Sequence, residues 1–95
     1  MLQPLDGPGV YGTLSVTDTP QEVKKDATAL DERKVITIQP SDGVVWYGYN
    51  NSVSSSTGTK IHKNQWIQIE ASESLPVWIV ADTGETVDVR ITEVS

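Results

Sequence analysis

Alternation of apolar and polar residues is the dominant pattern along this chain. In Glu85–Val94, Val87, Val89 and Ile91 fall on one side and Asp88, Arg90 and Thr92 on the other. A period of two is that of a half-buried β-strand, whose successive side chains point to opposite faces. The pattern recurs where Leu14 and Val16 alternate with Thr13, Ser15 and Thr17, and again in Val35–Gln39. In Gln65–Ala71 it turns Ile67 and Ile69 inward and Trp66, Gln68 and Glu70 outward. Val44–Tyr49 puts Val44 and Trp46 on one face and Val45, Tyr47 and Tyr49 on the other, while Val77–Ala81 is also apolar on both faces. Strands of that kind are central in the fold or covered by a neighbour. Lys60–His62 reads as the start of a further short strand.

Punctuation between these segments is equally regular. Pro40-Ser41-Asp42-Gly43 is a proline-then-Asp-Gly turn, Glu73–Pro76 turns the chain, and Asp82-Thr83-Gly84-Glu85 is placed to close a last hairpin. Asn50–Thr59, rich in Ser, Asn and Gly, forms the long loop. Strands every ~8–12 residues with turns between them predict an all-β fold. The expected architecture is an antiparallel β-sandwich, jelly-roll or Ig-like, of six to eight short strands; closure into a barrel is the other arrangement this spacing permits.

Two stretches depart from the pattern. Thr19-Pro20-Gln21-Glu22 has the form of a helix start, with a capping hydroxyl, proline in the first turn and glutamate three residues after the cap. The apolar stripe that follows (Val23, Ala27, Leu30) is thin and ringed by charge. This favours an extended segment through Val23 and then a turn or one-turn helix near Ala27–Asp31. Residues 1–12 hold Pro4, Gly7, Pro8 and Gly9 around Leu2, Leu5 and Val10. Proline removes donors and glycine adds backbone freedom, so this segment reads as an extended N-terminal arm, with residues 13–95 as the single domain. The arm is either a frayed terminus or a segment that orders on a partner.

Ninety-five residues make one core at most. The apolar fraction, 37%, is weighted toward Val and Ile; Phe is absent, so three Trp and three Tyr supply the aromatic bulk. No cysteine is present, which leans toward folding in a reducing compartment. The amino-terminal residues lack the basic start and apolar run of a signal peptide, and no stretch reaches the ~20 apolar residues of a membrane span. The expectation is a soluble protein made in the cytoplasm. Net charge is −6, from 13 acidic and 7 basic residues. Nucleic-acid binding draws most of its affinity from Lys and Arg on phosphates, so that partner is not expected, nor is an anionic membrane.

Reaction chemistry is hard to assemble from these residues. His62 is the single histidine, so no soft-donor metal set forms, and the carboxylates are dispersed rather than convergent. No serine sits in a glycine elbow, and Gly7-Pro8-Gly9 is followed by neither a lysine nor a helix. The chain is therefore expected to be no enzyme and to carry no cofactor or metal. Trp46, Tyr47, Tyr49, Trp66 and Trp78 are candidates for a sugar-stacking platform, or else fillers of a Phe-free core. Trp66 stands apart, since its phase sets it opposite Ile67 and Ile69; it is covered by another sheet or another subunit. The candidate interface residues are Leu2, Pro4, Leu5, Pro8 and Val10 of the arm, with Tyr47, Tyr49 and Trp66.

From Arg33 onward the chain resembles a family of small virion proteins of tailed bacteriophages. The residues that carry the likeness are Arg33-Lys34, Ile36-Thr37-Ile38-Gln39, Val45-Trp46-Tyr47-Gly48, Ser52-Val53, Thr57-Gly58 and Ile61. Ile67-Gln68-Ile69, Val77-Trp78-Ile79 and Val89-Arg90-Ile91-Thr92-Glu93 continue it. Pro40 stands where many relatives have Asn, and residues 18–32 form a longer leader than the family's. The resemblance implies a β-sandwich decoration or cement protein, trimeric, on the capsid exterior. Its partner would be the major capsid protein or another virion protein, with the arm laid over capsid subunits. A neck, tail or fibre component is the alternative within that class; a carbohydrate-binding adsorption module is the alternative outside it.

Overall fold

The computed structural model describes residues 9–24 and 28–95. Leu2, Pro4, Leu5 and Pro8 of the expected arm lie outside the described residues, as does Ala27 of the expected turn or one-turn helix. The described residues form eight strands: β1 (Gly9–Val16), β2 (Gln21–Glu22), β3 (Val35–Pro40), β4 (Val45–Gly48), β5 (Thr59–Ile61), β6 (Ile67–Glu70), β7 (Trp78–Ala81) and β8 (Val87–Val94). They make two four-stranded sheets, ordered β1-β8-β3-β6 and β2-β7-β4-β5, with every pairing antiparallel. The sandwich is thus of the jelly-roll kind: first strand pairs with last, second with seventh, third with sixth and fourth with fifth, like a long hairpin rolled on itself.

This topology revises one expectation. Asp82–Glu85 does not close a hairpin, because β7 lies in one sheet and β8 in the other; the turn carries the chain across the sandwich. Gly84 makes it possible with a φ of 78°, and its N–H donates to the Asp18 carboxylate at 3.0 Å. The Pro40–Gly43 turn crosses between sheets in the same way. It is fixed by Ser41, whose N–H and hydroxyl both donate to the Asp88 carbonyl oxygen, and by Asp42, whose carboxylate accepts from the Asp88 N–H.

β1 starts at Gly9, ahead of the expected boundary at residue 13. Gly9, Val10, Tyr11 and Gly12 are paired with Val94, Glu93, Thr92 and Ile91, so they belong to the first sheet. The stretch from Thr19 to Lys34 contains β2 and a turn in which the Arg33 N–H donates to the Leu30 carbonyl; no helix is present among the described residues. Glu32, at φ 55°, reverses the chain there.

The core lies between the sheets. Val16, Ile36, Ile38, Ile69, Val87, Val89 and Ile91 face it from the first sheet, and Val45, Ile61, Ile79 and Ala81 from the second. Each faces inward because strand alternation puts it there. Leu14, Tyr47 and Ile67 pack against its margin.

Candidate interaction surfaces

The long β4–β5 loop is tightly built. The Asn50 carboxamide oxygen accepts from the Ser52 N–H and hydroxyl, both at 2.9 Å, and the Thr57 hydroxyl accepts from the Ser54 N–H at 3.1 Å. The Gly58 N–H closes the turn on the Ser54 carbonyl at 2.8 Å. Short polar side chains are used here because they bond their own backbone in turns. The result folds Val53 inward, 6% exposed, against β4. A methyl group at Gly58 would come within 2.7 Å of Val53 Cγ2 and 2.8 Å of Trp46 Cβ; one at Gly48 would meet Val53 Cγ2 at 3.0 Å. Gly48, Val53 and Gly58 therefore interlock on the outer face of the second sheet. Val80, paired with Trp46 on that face, is itself buried. The two-faced apolar character of β4 is explained by this loop.

At the margin of the same loop lies an open depression of about 590 Å³ lined by Tyr47, Tyr49, Asn50, Ser52, Thr57 and Thr59. Tyr47 and Tyr49 meet edge to face, centroids 6.3 Å apart, with Tyr49 half exposed. A second depression, about 440 Å³, sets Trp46, Val44 and Lys60 beside Asp82 and Glu85 of the crossover turn. On the opposite side of the molecule, the outer face of the first sheet is a ladder of Thr13, Arg90 and Gln39, with Thr92 and Thr37 in the next row. Tyr11 (80% exposed) on β1 and Trp66 (62%) just before β6 flank it. Those flanks are three strand spacings apart, ~14 Å.

Of the expected interface residues, Tyr47 and Tyr49 come together, Val10 lies half-buried on the inner side of β1, and Trp66 is on another edge. Among the described residues nothing covers Trp66 as a second sheet would. The five aromatics do not make one platform: Trp46 and Trp78 share the outer face of the second sheet, the tyrosines its inner side, and Trp66 belongs to the other sheet.

One feature was missed from the sequence. Arg33 and Glu93 are both buried and paired, Nη1 to Oε2 at 2.9 Å. Arg33 Nε donates to the Ala71 carbonyl, Nη1 also to that of Val23, and Nη2 to those of Ser72 and Leu75, so all five guanidinium N–H groups have acceptors. Glu93 Oε2 accepts in addition from the Leu30 N–H. The pair ties the β2–β3 and β6–β7 connections to the end of β8. A signal was available: Glu93 has the phase of Val87, Val89 and Ile91, and a carboxylate on the core side requires a cation.

Among the described residues no group of three His, Asp or Glu side chains could hold a metal ion, and no helix is long and apolar enough to cross a membrane. No protein-family model matches the chain, and no curated protein matches it.

Proposed function

We propose that this chain is a structural protein of a tailed-phage virion, a decoration protein that binds the outer capsid surface and stabilises the shell. The observation that carries the reading is the structural role of the residues on which the resemblance to that family rests. Gly48, Val53 and Gly58 interlock, and Arg33 and Glu93 clamp three segments, so these positions hold a shape. Jelly rolls serve in viral capsid and lectin domains, an analogy of fold alone. The acidic charge suits the outside of a DNA-filled shell better than its inside. A protein that binds only the assembled lattice stabilises it by mass action.

The test is a copy-number measurement on purified particles. Hundreds of copies support lattice decoration, whereas about a dozen would move the protein to the neck or tail, and none would refute a virion role. Removing residues 1–8, which precede β1, is expected to lower capsid occupancy if the arm makes the contact.

The Tyr47–Tyr49 depression favours a second reading, glycan binding, since it joins aromatic faces to amide and hydroxyl groups. Heat of binding across a glycan panel, lost in Tyr49→Ala, would support it; no heat with any glycan would remove it.

A further inference from the structure

The four edge strands of this sandwich are not alike. β2, β5 and β6 have two, three and four residues and carry Glu22, Lys60 and Glu70 respectively. Short, charged edges are the usual protection against pairing with another chain. β1 has eight residues, Gly9–Val16, with no charge, no proline and no bulge; its register with β8 runs unbroken through all eight pairs. Among the described residues no strand lies on its other side. That edge offers a row of backbone donors and acceptors with none of the protection given to the other three.

We infer that β1 is a self-pairing edge, on which two copies of this chain join antiparallel about a two-fold axis. The four-stranded sheets of the two copies merge into one continuous sheet of eight. Charge argues for a second copy as occupant. Each molecule carries −6, yet β1 contributes nothing to it, so the strand is the part of this sheet's rim where like molecules meet without opposing charges. The chain's own leading segment is the poorer candidate, because Pro4 and Pro8 have no N–H to give to a ladder. A head-to-tail ring through β6, which a trimer would need on this sheet, leaves half of β1 unpaired, since β6 has four residues.

Strand phase fixes the alignment. Directly opposite residues share a face, so residue numbers across the axis must sum to an even value. A sum of 24 puts Gly12 on the axis, Tyr11 opposite Thr13 and Val10 opposite Leu14. Val10 and Leu14 are the half-buried apolar residues on the core side of β1, and this register covers each with the other. A sum of 26 would spend the contact on Val16, which is already fully buried.

Sedimentation equilibrium of the full chain, unmodified and as Thr13→Glu, tests the inference. Glu at position 13 faces Arg90 within its own sheet, which preserves the fold, but sets two carboxylates beside the axis. The unmodified chain is expected to be a dimer, and Thr13→Glu to self-associate at least ~10-fold more weakly. The register is read separately with cysteine, which the natural chain lacks. Tyr11→Cys mixed with Thr13→Cys is expected to give an interchain disulfide that neither variant forms alone, because only the mixed pair lies directly opposite. A monomer throughout, a trimer, or a dimer indifferent to Thr13→Glu overturns the inference; a disulfide absent from the mixture overturns the register.

Discussion

Arg33 shows how a single side chain can organise one end of a sandwich. Its guanidinium reaches the carbonyls of Val23, Ala71, Ser72 and Leu75, backbone groups of connections that a small domain would otherwise leave to water. Removing one partner of such a pair leaves the other charge buried. Arg33→Ala is expected to cost about 3–5 kcal/mol in urea unfolding. Replacing both, as Arg33→Met with Glu93→Leu, should cost less than that single change, because no stranded charge remains. Gly58 works by absence. Gly58→Ala drives a methyl into Val53 and Trp46 and should destabilise by about 1–3 kcal/mol. Adding Val53→Ala removes the clash with Val53 and leaves that with Trp46, so the two changes together should cost less than their sum in a double-mutant cycle.

Elements were legible in proportion to how local their causes are. Strands β1, β3, β6 and β8 follow from alternation, β4 and β7 from short apolar runs between turns, and even the short β5 sits where Lys60 and Ile61 suggest. Pairing was not legible: among the described strands only β4 and β5 are neighbours both in sequence and in a sheet, so Asp82–Glu85 looks like a hairpin turn while serving as a crossover. The start of β1 was hidden because glycines 9 and 12 resemble arm residues, and their strand conformation comes from β8 alongside. Among the candidate site residues, Tyr47 and Tyr49 were legible as a pair from their phase, whereas the Val53 plug was not, since a lone valine in a polar loop has no period. Trp66 bears no part of the core. Trp66→Ala should change the stability of the isolated domain by less than ~0.5 kcal/mol in urea unfolding. A larger loss would mean that the indole is covered in solution.

For the molecule as a whole, the decisive fact is that the longest pairing joins its two ends, β1 with β8. Contacts so far apart in sequence make closure the slow step. Refolding followed by tryptophan fluorescence should be on the millisecond-to-second scale rather than in microseconds. The same rolled topology explains how so few residues cover both sheets without a disulfide. The Pro40–Gly43 connection between the sheets is also fastened to β8, through Ser41 and Asp42 against Asp88.

The position of β8 has a consequence for biosynthesis. It lies between β1 and β3, so both of those strands leave the ribosome without the neighbour that belongs between them. Until the segment from Val87 to Val94 emerges, the nascent polypeptide holds two open templates for the wrong strand, and Arg33 lacks its counter-ion. Closure of this domain therefore waits until β8 has been made and can enter the gap between β1 and β3.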